Sequence, residues 1–175
     1  MSATKGIDFA RMTLRDGLDL AISIEEEARD RYREFAEQLT LHHTAEAANF
    51  FSRMARIEEI HRTKLVERRQ ARFPSEASTA MRAKVFDVEA PEFDQVRVFM
   101  TVEQALQTAL AAEEKAYEFF ALAIPRIEDT EVRALFSELR DEELEHQGLV
   151  KQEIARNSAD PSANADAYGD DPVAQ

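Results

Sequence analysis

The feature that most constrains the fold is a repeated apolar pattern in four long segments of the chain. In each segment, apolar side chains recur at alternating steps of three and four residues, the spacing of a helix that buries one stripe against its neighbours. The segments cover about residues 14–39, 45–72, 102–124 and 131–156. We call each apolar stripe a seam. The four seams predict four long helices packed around a common core.

Residues that begin and end helices lie at the boundaries of these segments. Thr13 with Asp16, and Thr101 with Gln104, have the spacing of a capping box, in which a side chain at each end accepts a backbone N–H of the other. Pro125 should end or kink the third segment, because proline lacks the N–H that an interior helical position requires. The boundaries therefore agree with the apolar pattern.

The connections predict how the helices are arranged. The first and second segments, and the third and fourth, are joined by short turns, so each pair should be antiparallel. Residues 73–100 form a much longer connector, with room for a short helix at 75–87. Such a connector suits a chain that crosses the full length of a bundle. We predict one all-α domain over residues 1–157, an antiparallel four-helix bundle with one long crossover, followed by a disordered acidic tail at 158–175.

Composition excludes several kinds of function. The chain has no cysteine, which rules out disulfides, zinc–cysteine sites and cysteine-ligated iron–sulfur clusters. Its net charge of −13 argues against binding to a nucleic acid backbone but suits the attraction of cations. No run of about 18 apolar residues is present, as a membrane-spanning helix would need. We expect a cytoplasmic protein that binds neither nucleic acid nor membrane.

The middle of each seam breaks the apolar pattern. There every seam carries a glutamate, and the second and fourth seams add a histidine three residues later. These residues are Glu25, Glu58, His61, Glu113, Glu143 and His146. A single Glu-x-x-His motif is a weak indication of a site, because acidic helices carry such pairs on their surfaces. Two copies at matching depth are a much stronger one.

An internal repeat relates the two halves of the chain. Residues 51–65, FSRMARIEEIHRTKL, align without a gap with residues 136–150, FSELRDEELEHQGLV, and the two Glu-x-x-His motifs coincide. Both Glu142 and Glu143 could share a helix face with His146, but only Glu143 falls on the seam. We expect Glu142 and the other off-seam glutamates to be solvated. These others are Glu26, Glu27, Glu59, Glu114 and Glu145.

The seam glutamates would place four carboxylates in an apolar core. This arrangement is strongly destabilising unless their charge is neutralised, and protonation would need large upward pKa shifts of several neighbours at once. Two divalent cations would balance four carboxylates and leave two neutral imidazoles as ligands. Such oxygen and nitrogen donors suit iron or manganese, with zinc a further option. A metal-free carboxylate–histidine network is the structural alternative.

Tyr32 is a further candidate for a role in the site. It lies on the first seam, two turns after Glu25. This place predicts packing in the core, and it also allows a hydrogen bond to a ligand from outside the ligand shell.

The motifs EEEARDRY, EEIH, AEEKAYEFF and EELEH resemble the ferritin-like superfamily, and within it the rubrerythrin family, over about residues 14–156. The resemblance implies a centre of two iron ions held by the six seam residues. It further implies that Glu58 and Glu143 bridge both ions. The remaining ligands would serve one ion each: Glu25 with His61, and Glu113 with His146.

Two departures from the family pattern affect the expected reaction. Rubrerythrins usually carry a rubredoxin domain whose iron is held by four cysteines, whereas this chain has none. We therefore expect the electron donor to be a separate molecule. Rubrerythrins also tend to have a further glutamate one turn after the third-helix ligand, and here that position is Ala116, with Ala28 as its equivalent in the first helix.

The resemblance implies a di-iron oxidoreductase that reduces hydrogen peroxide with electrons from an external donor. One alternative is ferritin-like oxidation of Fe(II) by dioxygen, with iron storage or delivery. A second is a non-catalytic interaction module stapled by its metals. By the same resemblance we expect a homodimer, in which the long connector would permit exchange of helices between the two chains.

Overall fold

A computed structural model describes residues 7–41, 45–78 and 101–159. Within these ranges the chain is all-α, with no strand, and it forms four long helices and two short 3₁₀ turns. The helices are α1 (Leu14–Leu41), α2 (Ala45–Arg72), α3 (Val102–Ala123) and α4 (Thr130–Ala159), and the turns are Phe9–Arg11 and Ile124–Arg126. The predicted all-α four-helix class is confirmed.

The helix ends lie close to those that the sequence predicts. α2 has the predicted bounds, and α3 gives way at Pro125 to a 3₁₀ turn. Ser158 and Ala159, which we expected to begin the tail, still belong to α4. Two N-terminal capping boxes are confirmed. The Thr13 N–H donates to Asp16 Oδ2 over 3.2 Å, and the Thr101 side chain and the Gln104 side chain cap each other's backbone.

The seams form the core. α1 packs along α2, α3 packs along α4, and α1 also contacts α4. The seams start at Leu14, Ala47, Val102 and Val132 and continue in steps of three and four residues. Their residues are buried except His61 and Val102, which are half-buried. Two apolar clusters fill the space on either side of the seam glutamates. One surrounds Leu18 and Phe136, and the other surrounds Phe51.

The order of these clusters along each helix gives the topology. α1 and α4 run from the first cluster to the second, whereas α2 and α3 run from the second to the first. α2 therefore ends at the opposite end of the bundle from the start of α3. The connection between them must cross the length of the bundle, as the sequence predicts.

Several expectations fall on parts of the chain that the structure does not describe. Of the connector, residues 73–78 are described and contain no helix, whereas the rest of the short helix expected at 75–87 lies outside the described residues. The tail after residue 159 also lies outside them. None of the described helices combines the length and apolarity needed to cross a membrane.

Candidate metal centre

The four glutamates and two histidines of the seams meet in the middle of the bundle. Glu58 and Glu113 are completely buried, and Glu25, Glu143 and His146 are at most 3% exposed. His61 is half-buried. Each of the four helices thus contributes one buried glutamate, as the matching depth of the seams predicts.

His146 lies among the carboxylates of three helices. Its Nδ1 atom is 3.3 Å from Glu113 Oε2, 3.4 Å from Glu58 Oε1 and 3.8 Å from Glu143 Oε2. The imidazole of α4 therefore faces oxygens from α2, α3 and its own helix.

His61 lies beside His146, and the two rings stack with centroids 5.2 Å apart and an interplanar angle of 10°. Its Nδ1 atom is 4.0 Å from Glu58 Oε2 and 3.9 Å from Glu142 Oε2. Glu58 thus lies between the two imidazoles, with one oxygen towards each.

Three overlapping groups of residues could each hold a cation. Within each group, the ligand atoms all lie within 4.8 Å of one another. Together they contain the six predicted ligands and one additional residue. The groups are Glu113–Glu143–His146, Glu25–His61–Glu142 and Glu58–His61–His146. We call these seven residues the carboxylate–histidine cluster.

Glu142 is the member that the sequence reasoning missed: we expected a solvated side chain, whereas it is partly buried and reaches both solvent and the cluster. Its side chain is only 33% exposed and faces His61 of α2. Consecutive residues on a helix differ by about 100° in direction, so Glu142 lies beside the seam, on the flank that borders α2. Its spacing of four residues from His146 was the available signal, because residues at that spacing share a face.

The remaining off-seam glutamates differ among themselves. Glu114 and Glu145 are exposed, as expected, whereas Glu26 and Glu27 are half-buried. Glu59 points away from the cluster and forms ion pairs with Arg29 and Arg62, each with an N–O distance of 2.7 Å. The list of solvated glutamates was therefore only partly correct.

Burial makes the cluster costly to charge without a cation. It raises the pKa of Glu25 to about 7, against a lowering contribution from the hydrogen bond with Glu58. Burial and the neighbouring Glu113 raise the pKa of Glu143 well above its usual value. Burial opposes protonation of His146, but Glu58, Glu113 and Glu25 outweigh it and raise the pKa of His146 to about 10. The cluster thus tends to hold protons where a cation would bind.

His61 behaves differently from His146. Burial lowers its pKa to about 4, and the charges of His146 and Lys64 act in the same direction. At neutral pH His61 is therefore an uncharged imidazole, the form that binds metal ions.

Tyr32 contacts the cluster from outside. Its hydroxyl donates a hydrogen bond to Glu113 Oε1, across the bundle from α1 to α3. Its ring is buried and stacks on Phe51 with centroids 5.9 Å apart. Tyr32 thus both packs in the core and orients a carboxylate of the cluster.

The residues present fit a pair of divalent cations. Four seam carboxylates and two imidazoles supply oxygen and nitrogen donors and the charge to match. Among the described residues, Glu143 Oε2 and His146 Nε2 are buried and have no hydrogen-bond partner, a costly state that a cation would relieve. Ala28 and Ala116, at most 1% exposed, add no carboxylate.

A crossover four-helix bundle with a buried carboxylate–histidine cluster at its centre defines the ferritin-like class. The sequence profile of the rubrerythrin family matches residues 16–154. The chain belongs to the rubrerythrin family.

One solved structure supports the same relationship. It is a crystal structure of an uncharacterized conserved protein from Magnetospirillum magnetotacticum MS-1. That protein is 29% identical to this chain, with a TM-score of 0.69, and the match covers 83% of this chain and 95% of the other. No protein with a curated description matches the chain.

Proposed function

We propose that the protein binds a pair of iron ions in the carboxylate–histidine cluster and reduces hydrogen peroxide with electrons from a separate donor. The observation that carries the proposal is the convergence of one buried glutamate from each of four helices with two histidines, in a chain of the rubrerythrin family. The acidic chain, with a net charge of −13, favours the approach of cations.

The contacts support a division of the ligands between two positions. Glu25 and His61 belong to one group of close ligand atoms, and Glu113 and His146 belong to another. Glu58 directs one oxygen towards each histidine, so it is suited to serve both positions. Glu143 completes the six-ligand set.

When bound, a ferrous pair supplies two electrons and Lewis acidity for cleavage of the O–O bond. Reduction of one hydrogen peroxide consumes two electrons and two protons and yields two water molecules, after which the separate donor returns the electrons. The protein residues orient ligands and manage protons. The Tyr32 hydroxyl donates a hydrogen bond to Glu113 Oε1, which places an acidic proton within the buried part of the cluster.

The decisive experiment measures metal content and reactivity. Protein loaded anaerobically with Fe(II) should contain about two irons per chain, as the six-ligand set implies, and it should be oxidised much faster by hydrogen peroxide than by dioxygen. The double variant Glu58→Ala/Glu143→Ala should lose both irons, whereas Glu114→Ala/Glu145→Ala, at exposed positions, should retain them. Unchanged iron content in the first variant would rule out the site.

A second candidate is the oxidation of Fe(II) by dioxygen, with iron as substrate. It is favoured by Ala116, which occupies a fully buried position where the rubrerythrin pattern has a further glutamate. Fast oxidation by dioxygen, followed by uptake of many irons per chain, would select this function. An intact metal pair that reacts with neither oxidant would instead indicate a structural role for the metals.

A further inference from the structure

The carboxylate–histidine cluster is closed to solvent except on one side. Five of its seven members are at most 3% exposed. The two that reach solvent are His61, with 14% of its side chain exposed, and Glu142, with 33%. They lie on α2 and α4 and contact each other, so the accessible side of the cluster lies between these helices.

Glu142 approaches the cluster without forming a direct bond to it. Its Oε2 atom is 3.9 Å from His61 Nδ1, which is longer than a hydrogen bond. Glu142, His61 and Glu25 nevertheless place one ligand atom each within 4.8 Å of the others. Donor atoms that converge without bonding one another fit a cation between them.

The internal repeat shows that this carboxylate has no counterpart on the other side. In the gapless alignment of residues 51–65 with 136–150, Glu142 corresponds to Ile57. Ile57 is half-buried and packs on the second apolar cluster. The position served by Glu25 and His61 therefore has Glu142 as a third possible ligand on its solvent side. The residue that corresponds to Glu142 in the other half of the repeat, Ile57, is apolar.

We propose that Glu142 is a seventh metal ligand, which binds the ion held by Glu25 and His61 and passes ions between solvent and that position. This inference rests on the proposed metal pair. The half-exposed side chain of Glu142 can reach both solvent and the buried donors, which the other carboxylates of the cluster cannot. The ion at Glu25 and His61 should consequently exchange through Glu142, and the ion at Glu113 and His146 should exchange more slowly.

The test compares Glu142→Gln with Glu145→Gln, an exposed glutamate on the same helix. The full-length chain is loaded with Fe(II) without oxygen, and affinity is measured by equilibrium dialysis and release by transfer to a ferrous chelator. Glu142→Gln should weaken one of the two ions at least about tenfold, in line with the loss of a carboxylate that supports a metal site. It should also remove the fast phase of release. Glu145→Gln should behave as the unaltered protein.

A second measurement examines the contact itself. Crystals of the Fe(II)-loaded protein should show, by anomalous scattering, a Glu142 oxygen bound to the ion beside His61. An ion at that position with Glu142 directed to solvent would overturn the inference, as would equal affinity and release in Glu142→Gln. If Glu58→Ala/Glu143→Ala also retained its iron, the proposed function itself would fail. If iron were lost only from that double variant, the ligand role of Glu142 would be rejected and the proposed metal pair would stand.

Discussion

The two halves of the molecule carry the same ligands in different surroundings. α1 and α2 supply Glu25, Glu58 and His61, and the repeat supplies Glu113, Glu143 and His146 from α3 and α4. The His146 side is almost fully buried, whereas the His61 side reaches solvent. The repeat thus provides two similar sets of donors, and the neighbouring residues make the two sets unequal.

Two pairs of corresponding residues differ between the halves of the repeat and contribute to this inequality: Tyr32 with Phe120, and Glu142 with Ile57. Residues 24–32, IEEEARDRY, align with residues 112–120, AEEKAYEFF, so that Glu25 corresponds to Glu113 and Tyr32 of α1 to Phe120 of α3. The Tyr32 hydroxyl reaches Glu113, whereas Phe120 has no hydroxyl to offer Glu25. Phe120 instead packs edge-on against Phe136, with centroids 5.4 Å apart. The His146 side is therefore organised by a fixed hydrogen bond from Tyr32 to Glu113. In place of such a hydrogen bond, the His61 side has the accessible carboxylate of Glu142.

Replacement of each histidine with alanine should have the largest effect on metal binding, and it should show the difference between the two sides most clearly. Each variant should lose the ion on its own side, because an imidazole nitrogen is a direct ligand, and the loss in affinity should exceed the roughly 10–100-fold effect of an outer partner. His146→Ala should also weaken binding of the second ion and lower the melting temperature more than His61→Ala does, since His146 is buried among three carboxylates. Iron per chain and thermal unfolding measure both effects. Equal losses in the two variants would contradict the inequality of the two sides.

The pH dependence of the metal-free protein should reveal the same inequality. Glu25, with a folded pKa of about 7, and His146, with one of about 10, both bind protons more tightly in the folded chain than in the unfolded one. Their contribution to stability is therefore lost as pH rises. His61, with a folded pKa of about 4, acts in the opposite direction below its unfolded value of 6.5. Between pH 4.5 and 6.5 the loss at Glu25 and the gain at His61 oppose each other, so stability should fall clearly only above pH 6.5, where His61 no longer titrates.

Thermal melts of the metal-free protein between pH 6.5 and 9 should accordingly show a falling melting temperature. Bound Fe(II) should remove most of this slope, because the cations then replace the protons on the ligands. Glu25→Gln should keep the part of the decline that belongs to His146. A metal-free protein whose stability rises over this window would show that the buried carboxylates are already ionised and neutralised in another way.

The sequence predicted those parts of the fold that depend on regular spacing. The bounds of α2 and the depth of the seam glutamates follow from apolar periodicity and helix caps, which act locally along each segment. Glu142 was missed because its contact is with α2, one position off the seam, and the approach of two helices is not encoded in the pattern of either. The long crossover was predictable because the connector is too long for a turn between neighbours.

Tyr32 illustrates how far a seam can be interpreted. Its place on the seam predicted both burial and a hydrogen bond near the ligands, but its acceptor, Glu113, lies on a different helix from Glu25. Which carboxylate it reaches depends on how α1 packs across the core towards α3. The reaction itself is still less accessible from spacing, because the same six donors suit peroxide reduction and iron oxidation.

Tyr32→Phe should have the smallest effect, and it reproduces on α1 the residue that the repeat has in α3. The variant keeps the stacking on Phe51 but leaves Glu113 Oε1 without its donor. Loss of this outer partner should slow the reaction with peroxide about tenfold, while the iron content should stay unchanged. Phe120→Tyr is a poorer control because its ring is tightly packed, so Tyr117→Phe, at a half-buried position off the seam, serves instead. If Tyr32→Phe and Tyr117→Phe react equally fast, the hydrogen bond to Glu113 has no part in chemistry. The inequality of the two sides would then rest on solvent access alone.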